Sequence, residues 1–300
     1  KEAEIIPLPN DEVTPPVTNT YFADILNKFS VLYGDTKLWI FSNFAIGNFD
    51  FLQSKMNKYT KELTVLSSET DSNKNLKVYS FLCNTQELAN DHAINLGFGY
   101  DRLIQKDCAW VLSRLKAKFL YSPRWQDKYT ITTWHKGMQG LFSVRDFSSS
   151  LASDPGNPVI VCTSSWLIMD LNTRRLQRAE HVLGEDIFTT AHHEDAMEEA
   201  CGKLVFPKDM ALVTSHKVVL SDIDMNGHTN NAKYMEWAFD VLPTDVTLHS
   251  EVDEFQINFN KESKIGDIID FHVASPDDNI YLVEGKRDGE SIFQTLIKFK

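Results

Sequence analysis

The segment SDIDMNGHTNNAKY, residues 221–234, joins a strand-like stretch to a stretch with helical periodicity. Its polar side chains far outnumber the one that is needed to cap a helix. Asn230 or Asn231 is expected to be that N-cap, because the apolar pattern AKYMEWAFDVL follows directly. The other polar residues of this junction therefore need a different explanation.

A similar junction lies in the first half of the chain. ETDSNKN, residues 69–75, precedes a helix predicted over residues 76–99. In the second half, DIDMNGH, residues 222–228, precedes a helix predicted from Asn230 to about residue 241. Strand-like segments follow each helix, and the two copies lie about 150 residues apart, which indicates a duplication. We therefore predict an α+β fold in which each copy wraps an antiparallel sheet around one helix.

Residues 1–57 differ in character from the rest of the chain. Their segment IIPLPNDEVTPPVTN, residues 5–19, is rich in proline and turn-forming residues. We predict an extension of unknown role at residues 1–57, a first module at residues 58–200 and a second module at residues 201–300. TAHHEDAMEEAC, residues 190–201, is interpreted as a solvated acidic helix between the modules, because its spacing fits no standard zinc site.

The composition limits the function. The net charge of −12 argues against nucleic acid or an anionic membrane surface as a partner. No apolar run approaches the ~20 residues of a membrane span. The four cysteines lack metal-ligand spacing, which indicates reduced thiols in a cytoplasmic protein. They are Cys83, Cys108, Cys162 and Cys201.

Three residues of the second junction are candidates for chemistry. Asp224, Asn226 and His228 alternate along the chain, which places their side chains on one side of an extended segment. Histidine can transfer protons near neutral pH, asparagine can donate to an oxyanion, and aspartate can orient a neighbouring donor. In the first copy Asn75 stands where His228 stands, so only the second copy keeps a titratable base. The alternative is structural, with an Asx-turn at Asp224 and a surface histidine.

A second candidate lies in NFNKESKIGD, residues 258–267, where Glu262 and Ser263 interrupt a strand-like alternation at its end. A carboxylate at the end of a strand is by default solvated and has no role in catalysis. Glu262 therefore becomes relevant only if the fold brings its side chain beside His228.

The second junction, extended to SDIDMNGHTNNAKYMEW, resembles the signature D-x-D-x-N-x-H-x-N-N-x-K-Y of the fatty acyl-ACP thioesterases of plants and bacteria. Residues 109–147 and SSWLIMDLNTRRLQR, residues 164–178, resemble the N-terminal module of that family. The resemblance runs from about residue 58 to the C-terminus. It implies two tandem hotdog modules, each a long helix wrapped by an antiparallel sheet.

The resemblance implies an activity, namely hydrolysis of fatty acyl-ACP to free fatty acid and holo-ACP in fatty acid biosynthesis, with no metal or cofactor. The catalytic residues of the family fall on Asp224, Asn226, His228 and Glu262. Glu262 would accept a proton from an attacking water, while His228 and Asn226 position that water or the thioester carbonyl. Asp224 would orient Asn226 or His228. Ser263 stands where plant members have cysteine, which excludes a cysteine nucleophile. Ser263 could act as the nucleophile in its place only if His228 took its proton, and the preferred mechanism needs no covalent intermediate.

The resemblance also implies two partners, the acyl chain and its carrier. In this family the N-terminal module, here residues 58–200, supplies the acyl-chain pocket. Candidates on its helix are Val78, Phe81, Leu82 and Leu88. The carrier is acidic and would dock on a basic patch. Two groups could provide that patch: Arg114, Lys116, Lys118 and Arg124, or Arg174, Arg175 and Arg178.

Several alternatives stay open at this point. The carrier could be coenzyme A instead of acyl carrier protein. A hotdog protein could also act as a hydratase or dehydratase on an acyl thioester, or bind acyl groups without turnover. A homodimer is the assembly to consider. The chain length and saturation of the acyl group cannot be inferred from these residues.

Overall fold

The structure is a computed structural model and describes residues 57–300. The extension predicted at residues 1–57 lies outside these described residues, apart from Asn57. Within the described range, no helix combines the length and the apolar character that crossing a bilayer requires.

Eleven strands and six α-helices make up the regular structure of residues 57–300. The strands are β1 Lys58–Thr64, β2 Cys108–Phe119, β3 Lys128–Gln139, β4 Phe142–Leu151, β5 Pro158–Asp170, β6 Leu176–Gln177, β7 Ala211–Lys217, β8 Val252–Phe259, β9 Ile268–Asp277, β10 Ile280–Arg287 and β11 Glu290–Phe299. The helices are α1 Val78–Asn95, α2 Tyr100–Ile104, α3 Ala179–Leu183, α4 Asp186–Thr189, α5 Asn231–Asp240 and α6 Thr244–His249. The predicted α+β class is confirmed.

Helix α1 forms because its apolar residues recur every three or four positions and share one face. Val78, Phe81, Leu82 and Leu88 are all buried in the main core. The helix ends where the chain reaches Gly97, whose φ of 76° lies in the left-handed region that terminates helices. The glycine stop expected from the sequence is therefore present.

Helix α5 begins at the predicted N-cap. The side-chain oxygen of Asn230 accepts a hydrogen bond of 2.8 Å from the backbone N–H of Ala232. The helix has 10 residues, against 18 in α1. It is shorter because Pro243 has no N–H to donate and restricts the preceding Leu242, so the chain restarts as α6.

The strands form one continuous antiparallel sheet, in the order β1-β3-β4-β5-β2-β8-β11-β10-β9-β7, with β6 paired to β5. The first five strands of this order come from the first half of the chain and the last five from the second. The halves meet where β2 pairs with β8, for example at Ala117 opposite Phe255. We call this β2–β8 pairing the seam. Helices α1 and α5 contact each other, and one hydrophobic core extends across both halves.

The helix predicted at residues 190–201 is wrong, because this segment is irregular and lies along the sheet. Some of its acidic side chains, although exposed, pair with lysines of the strands. Glu199 pairs with Lys116 at 2.7 Å. The backbone N–H of Ala196 donates to Asp146 Oδ2 at 2.9 Å. These contacts with distant residues cannot be read from local periodicity.

Candidate active site

The second junction folds into a tight loop around Asp224. Oδ1 of Asp224 accepts hydrogen bonds from the backbone N–H of Asn226 at 2.8 Å and of His228 at 3.4 Å. The backbone N–H of Asp224 donates to the carbonyl of His228 at 2.8 Å. Gly227 has a φ of 77°, which the turn requires and which glycine adopts without steric cost. The loop therefore presents Asn226 and His228 from a fixed backbone.

The first junction has the same backbone hydrogen bonds. Oδ1 of Asp71 accepts from the N–H of Asn73 at 2.8 Å and of Asn75 at 2.9 Å. The N–H of Asp71 donates to the carbonyl of Asn75 at 2.9 Å, and Lys74 takes the left-handed position with a φ of 68°. The internal repeat predicted from seven residues is therefore a repeat in three dimensions. The Asx-turn that the sequence left as an alternative is also present, since the aspartate shapes the loop in both copies.

The loops that follow β2 and β8 are related in the same way. The N–H of Arg124 donates to Asp127 Oδ2 at 2.8 Å, and the N–H of Lys264 donates to Asp267 Oδ2 at 2.8 Å. Each aspartate N–H returns a bond to the carbonyl of the basic residue, at 2.8 Å for Asp127 and 3.0 Å for Asp267. The sequences SPRWQD and ESKIGD therefore form equivalent loops, a relation that the sequence analysis missed.

In the first copy, the position equivalent to Glu262 is occupied by a residue that cannot act as a proton acceptor. The amide after His228 donates to the carbonyl of Ser263 at 2.9 Å, and the equivalent amide of the first copy donates to the carbonyl of Pro123 at 2.8 Å. Glu262 thus corresponds to Ser122. The first copy keeps the loops without the titratable side chains.

Glu262 and His228 lie side by side at the bottom of these two loops. Oε2 of Glu262 is 2.7 Å from Nε2 of His228, and their side chains are 32% and 29% exposed. The fold thus brings together two residues that are 34 positions apart, since 262 − 228 = 34. They are partly shielded yet reachable, as a site for a reacting group requires.

Arg174 is the residue of this site whose contact the sequence analysis missed. Its guanidinium contacts Oε1 of Glu262. It comes from the turn after β5, where Oδ1 of Asp170 accepts from the N–H of Asn172 at 3.0 Å and of Thr173 at 2.7 Å. Arg174 itself has a φ of 58°. From the sequence, Arg174 was predicted only to be part of a basic patch, because no local sequence pattern relates Arg174 to Glu262.

The surroundings of His228 favour its neutral form. Partial burial lowers the pKa of His228 most, and the positive charge of Lys264 lowers it further. Asp224 opposes this decrease, and Arg174 adds a smaller decrease. A neutral imidazole whose Nε2 carries the proton donates to the carboxylate of Glu262. The pair therefore holds one proton, between Nε2 of His228 and the carboxylate of Glu262, and it can accept a second proton.

The side-chain amide of Asn226 has no hydrogen-bond partner among the described residues, and the residue is exposed. The equivalent amide in the first copy is occupied, since Nδ2 of Asn73 donates to the carbonyl of Leu248 at 2.6 Å. The second copy thus retains a free amide that can meet a ligand.

Ser263 is part of the scaffold beneath the site. Its residue is fully buried. Its hydroxyl lies 2.7 Å from Thr229 Oγ1 and 2.9 Å from the hydroxyl of Tyr234, and its N–H donates to that tyrosine at 3.2 Å. A serine nucleophile would have to leave these bonds and turn toward His228.

Two of the four residues in the first basic group proposed for carrier docking, Arg114 and Lys116, are not free to bind a carrier. Lys116 is buried and pairs with Glu199 at 2.7 Å and Glu254 at 3.4 Å, and Arg114 donates to the carbonyl of Cys201 at 3.1 Å. Both side chains hold the chain between the modules against the seam. In the other group, Arg178 is 63% exposed.

No metal site emerges from residues 57–300, in which no three His, Cys, Asp or Glu side chains converge as ligands would. In the His-rich segment, Nε2 of His192 lies 3.1 Å from Glu194, and that carboxylate also meets Lys58.

Comparison with known proteins gives two family models. The acyl-ACP thioesterase N-terminal domain matches residues 56–186, and the acyl-ACP thioesterase C-terminal domain matches residues 207–299. Among curated relatives, an oleoyl-acyl carrier protein thioesterase of Arabidopsis thaliana is 25% identical over 71% of this chain and 62% of its own length. A palmitoyl-acyl carrier protein thioesterase of Gossypium hirsutum is 26% identical over 68% of this chain and 52% of its own. The chain thus spans under two thirds of the length of these relatives.

Solved structures support the fold. An acyl-ACP thioesterase from Bacteroides thetaiotaomicron superposes with a TM-score of 0.74 at 24% identity, covering 82% of this chain and 99% of its own. A 12:0-ACP thioesterase from Umbellularia californica gives 0.72 at 19% identity, covering 81% and 97%. At these identities the likeness establishes the architecture, which is that of two tandem hotdog modules.

Proposed function

Because this chain belongs to the acyl-ACP thioesterase family, we propose that it hydrolyses the thioester of fatty acyl-ACP and releases free fatty acid and holo-ACP. The observation that carries the proposal is the contact between Glu262 and His228 at 2.7 Å. The first copy has the same loops with Ser122 and Asn75 in their place, so the proton-transfer pair is an addition to the scaffold and not a part of it.

In the proposed reaction a water attacks the thioester carbonyl, and the pair of Glu262 and His228 takes the proton of that water. The C–S bond then breaks, and the proton passes from the pair to the departing thiolate. The exposed amide of Asn226 donates to the oxygen of the carbonyl as negative charge develops on it. Asp224 acts through the loop and is a positioning residue. Base catalysis of this kind typically contributes 10²- to 10⁴-fold.

We also propose that residues 58–200 supply the acyl-chain pocket and residues 201–300 the proton-transfer pair. The helix residues suggested for the pocket are all buried in the core of the first half. Arg174 reaches Glu262 from that half, so an acyl chain held there has its thioester beside the pair. Arg175 and Arg178 flank that turn and provide the positive charge that an acidic carrier needs.

The test uses the repeat as its own control. Glu262→Gln keeps the shape of the side chain, and His228→Asn introduces the residue of the first copy. Each is expected to lower kcat at least ~100-fold without loss of folding. Asp224→Ala should do the same, whereas Asp71→Ala makes the equivalent lesion in the first junction and should leave kcat near its starting value. Turnover is followed as release of the carrier thiol.

The same measurements separate the alternatives. Equal kcat in Asp224→Ala and Asp71→Ala would remove the second loop from the mechanism. An inactive Ser263→Ala together with an acyl-enzyme trapped by rapid quench would establish the serine route instead. A faster reaction with acyl-CoA than with acyl-ACP would change the carrier. Tight binding without thiol release would identify a hydratase, a dehydratase or an acyl-binding protein.

The cellular location and assembly belong to the same proposal. All four cysteines are free thiols, which supports a reducing compartment such as the cytoplasm. The plant relatives are named as chloroplastic, so fractionation of the source cells decides the compartment. A homodimer is tested by light scattering of the purified chain.

A further inference from the structure

A charged side chain lies in the core of the first half without a counter-ion. Arg145 of β4 is 8% exposed, and no carboxylate within residues 57–300 forms an ion pair with it. Its NH1 donates to Nδ1 of His92 at 2.7 Å and to Thr133 Oγ1 at 3.2 Å. The neighbouring Asp146 points to the opposite face of the strand. Burying an arginine in this way is costly unless its remaining N–H groups find an acceptor.

The two histidines beside Arg145 each leave one ring nitrogen unpartnered among the described residues, namely Nε2 of His92 and Nε2 of His135. Because the guanidinium can only donate, Nδ1 of His92 is an acceptor, and its proton is on Nε2. Thr190 Oγ1 donates to the carbonyl of Ile187, so it accepts from Nδ1–H of His135 at 3.0 Å. Nε2 of His135 is therefore a free acceptor.

These polar groups lie together on the helix side of the sheet. His135 and Arg145 are directly opposite each other on β3 and β4, and His92 lies on α1 above them. We call the three residues the Arg145 cluster. Leu88, one turn before His92 on α1, and Phe147, two positions after Arg145 on β4, both belong to the main core. The cluster therefore places polar groups next to the apolar core.

We propose that the Arg145 cluster binds a hydroxyl group carried on the acyl chain of the substrate. This inference rests on the proposed function, which seats the acyl chain in residues 58–200. A hydroxyl oxygen accepts from the guanidinium of Arg145 or Nε2–H of His92, and its proton is donated to Nε2 of His135. The substrate class is thus a hydroxylated fatty acyl thioester.

The set of donors and acceptors distinguishes a hydroxyl from related groups. A ketone can accept from Arg145 and His92 but has no proton for His135. A carboxylate would neutralise Arg145 but would meet the lone pair of His135. A chain without oxygen leaves Nε2 of His92 and of His135 unpaired, and sites built to hydrogen-bond a substrate group discriminate strongly against analogues that lack it.

The experiment compares acyl-ACP thioesters of one chain length that differ only in one group. The set comprises the plain chain, a series with the hydroxyl at successive carbons, the ketone at the best of these carbons, and the terminal carboxylate. We expect one hydroxyl isomer to exceed the plain chain in kcat/KM by at least ~10-fold, as for a hydrogen bond to a charged group. The ketone and the carboxylate should lie near the plain chain.

Two variants assign the preference to the cluster. Arg145→Met should remove the advantage of the hydroxyl and leave kcat/KM for the plain chain within about threefold. His135→Leu should make the hydroxyl and ketone chains equal. Lys128→Met is the matched control, because that lysine is 67% exposed at the start of β3 and forms an ion pair only with Glu62 among the described residues.

A plain chain that is hydrolysed as fast as every hydroxylated chain would overturn the inference, and so would a faster ketone or carboxylate. A protein that hydrolyses none of the thioesters would refute the proposed function separately. In that case calorimetry with free hydroxylated and plain fatty acids decides. Tighter binding of a hydroxylated acid that is lost in Arg145→Met supports the cluster, and equal binding overturns it.

Discussion

Glu262 is held by contacts from three separate parts of the chain. Its carboxylate meets His228 on one oxygen and Arg174 on the other, and NH1 of Arg287 donates to its backbone carbonyl at 3.2 Å. A catalytic base needs a fixed position and a suitable pKa. Arg174 contributes to both, because it holds one oxygen of the Glu262 carboxylate and adds a positive charge beside the pair.

We predict that Arg174→Met lowers kcat about 10- to 100-fold, because small displacements of a catalytic group have effects of that size. The pH profile should move as well. Burial and then the charge of Lys264 lower the pKa of His228 most, and Arg174 contributes a further, smaller decrease. Its loss raises the apparent pKa of the pair, so activity on the acid side is lost at a higher pH than in the parent protein. The measurement is kcat/KM against pH.

Arg174→Lys separates charge from geometry. Lysine keeps the positive charge but not the planar fork, so the acid limb of the profile should stay near its original pH while kcat still falls. An unchanged profile and unchanged kcat in Arg174→Met would mean that the contact with Glu262 has no role in turnover.

At this scale the sequence predicted the loop residues better than their surroundings. Asp224, Asn226 and His228 share a short segment, and their spacing alone indicated a site. Glu262 was a candidate from its place at the end of a strand, but only the family resemblance assigned it a catalytic role, because its contact with His228 depends on how β8 packs beside the second junction. The contact between Arg174 and Glu262 was not predicted, for the same reason.

At the scale of elements, the joint between α1, β3 and β4 is the most sensitive to acid. Burial, followed by the charge of Arg145, lowers the pKa of His92 and of His135 to about 3 each. Smaller effects come from His135 on His92, and from His193 on His135, where the backbone of Gly137 opposes the decrease. Both rings therefore fold in the neutral form.

We predict that the protein loses stability as the pH falls from about 6.5 toward 3. Over this interval the unfolded chain binds a proton at each histidine and the folded chain does not, so protons favour unfolding. The free energy of unfolding should fall by up to about 1.4 kcal/mol per pH unit for each of His92 and His135. Urea unfolding at several pH values measures the slope.

In His92→Gln, the decrease in the free energy of unfolding per pH unit should be smaller by the contribution of one histidine. His249→Gln is the matched control, since that residue is exposed at the end of α6 and its loss should leave the slope unchanged. A slope that does not change in His92→Gln would show that another group causes the acid lability.

Elements with a strong periodicity of their own were predicted from the sequence. Both α1 and α5 lie where the pattern placed them, and α5 has its N-cap at Asn230. The conformation of residues 190–201 was predicted wrongly, because their composition resembles that of a solvated helix. Their conformation depends on Lys116 and Asp146, which lie in strands more than forty residues earlier.

At the scale of the molecule, the seam makes the two modules one folding unit. Phe255 of β8 is fully buried, and its ring lies 6.2 Å from that of Phe119 of β2. The sheet and the core both continue through this point. We therefore expect residues 57–300 to unfold in one cooperative transition and not in two.

We predict that Phe255→Ala destabilises the whole protein by about 3–5 kcal/mol. In a chain of this size that corresponds to a decrease of about 10 °C in Tm. Scanning calorimetry should show one peak that moves as a whole. Phe188→Ala is the control, because that residue is 50% exposed and its truncation should have little effect. A shift of one of two separate peaks would contradict the single unit.

The order of elements in each module could be predicted from the sequence, and with it the fold class. The seam could not. Each strand shows which of its residues face the core, but no pattern within β2 or β8 identifies its neighbour. That choice is made by side chains such as Phe119 and Phe255 that meet only in the folded molecule.

The contact between Arg174 and Glu262 constrains how this protein can be recombined with its relatives. If the first half binds the acyl chain and the second half carries the proton-transfer pair, as we propose, a chimera of two parents inherits one side of this ion pair from each. We then expect a graft for a new chain-length preference to retain turnover only when the donor's turn after β5 presents an arginine at this place. Selectivity and turnover would be coupled across the boundary between the halves.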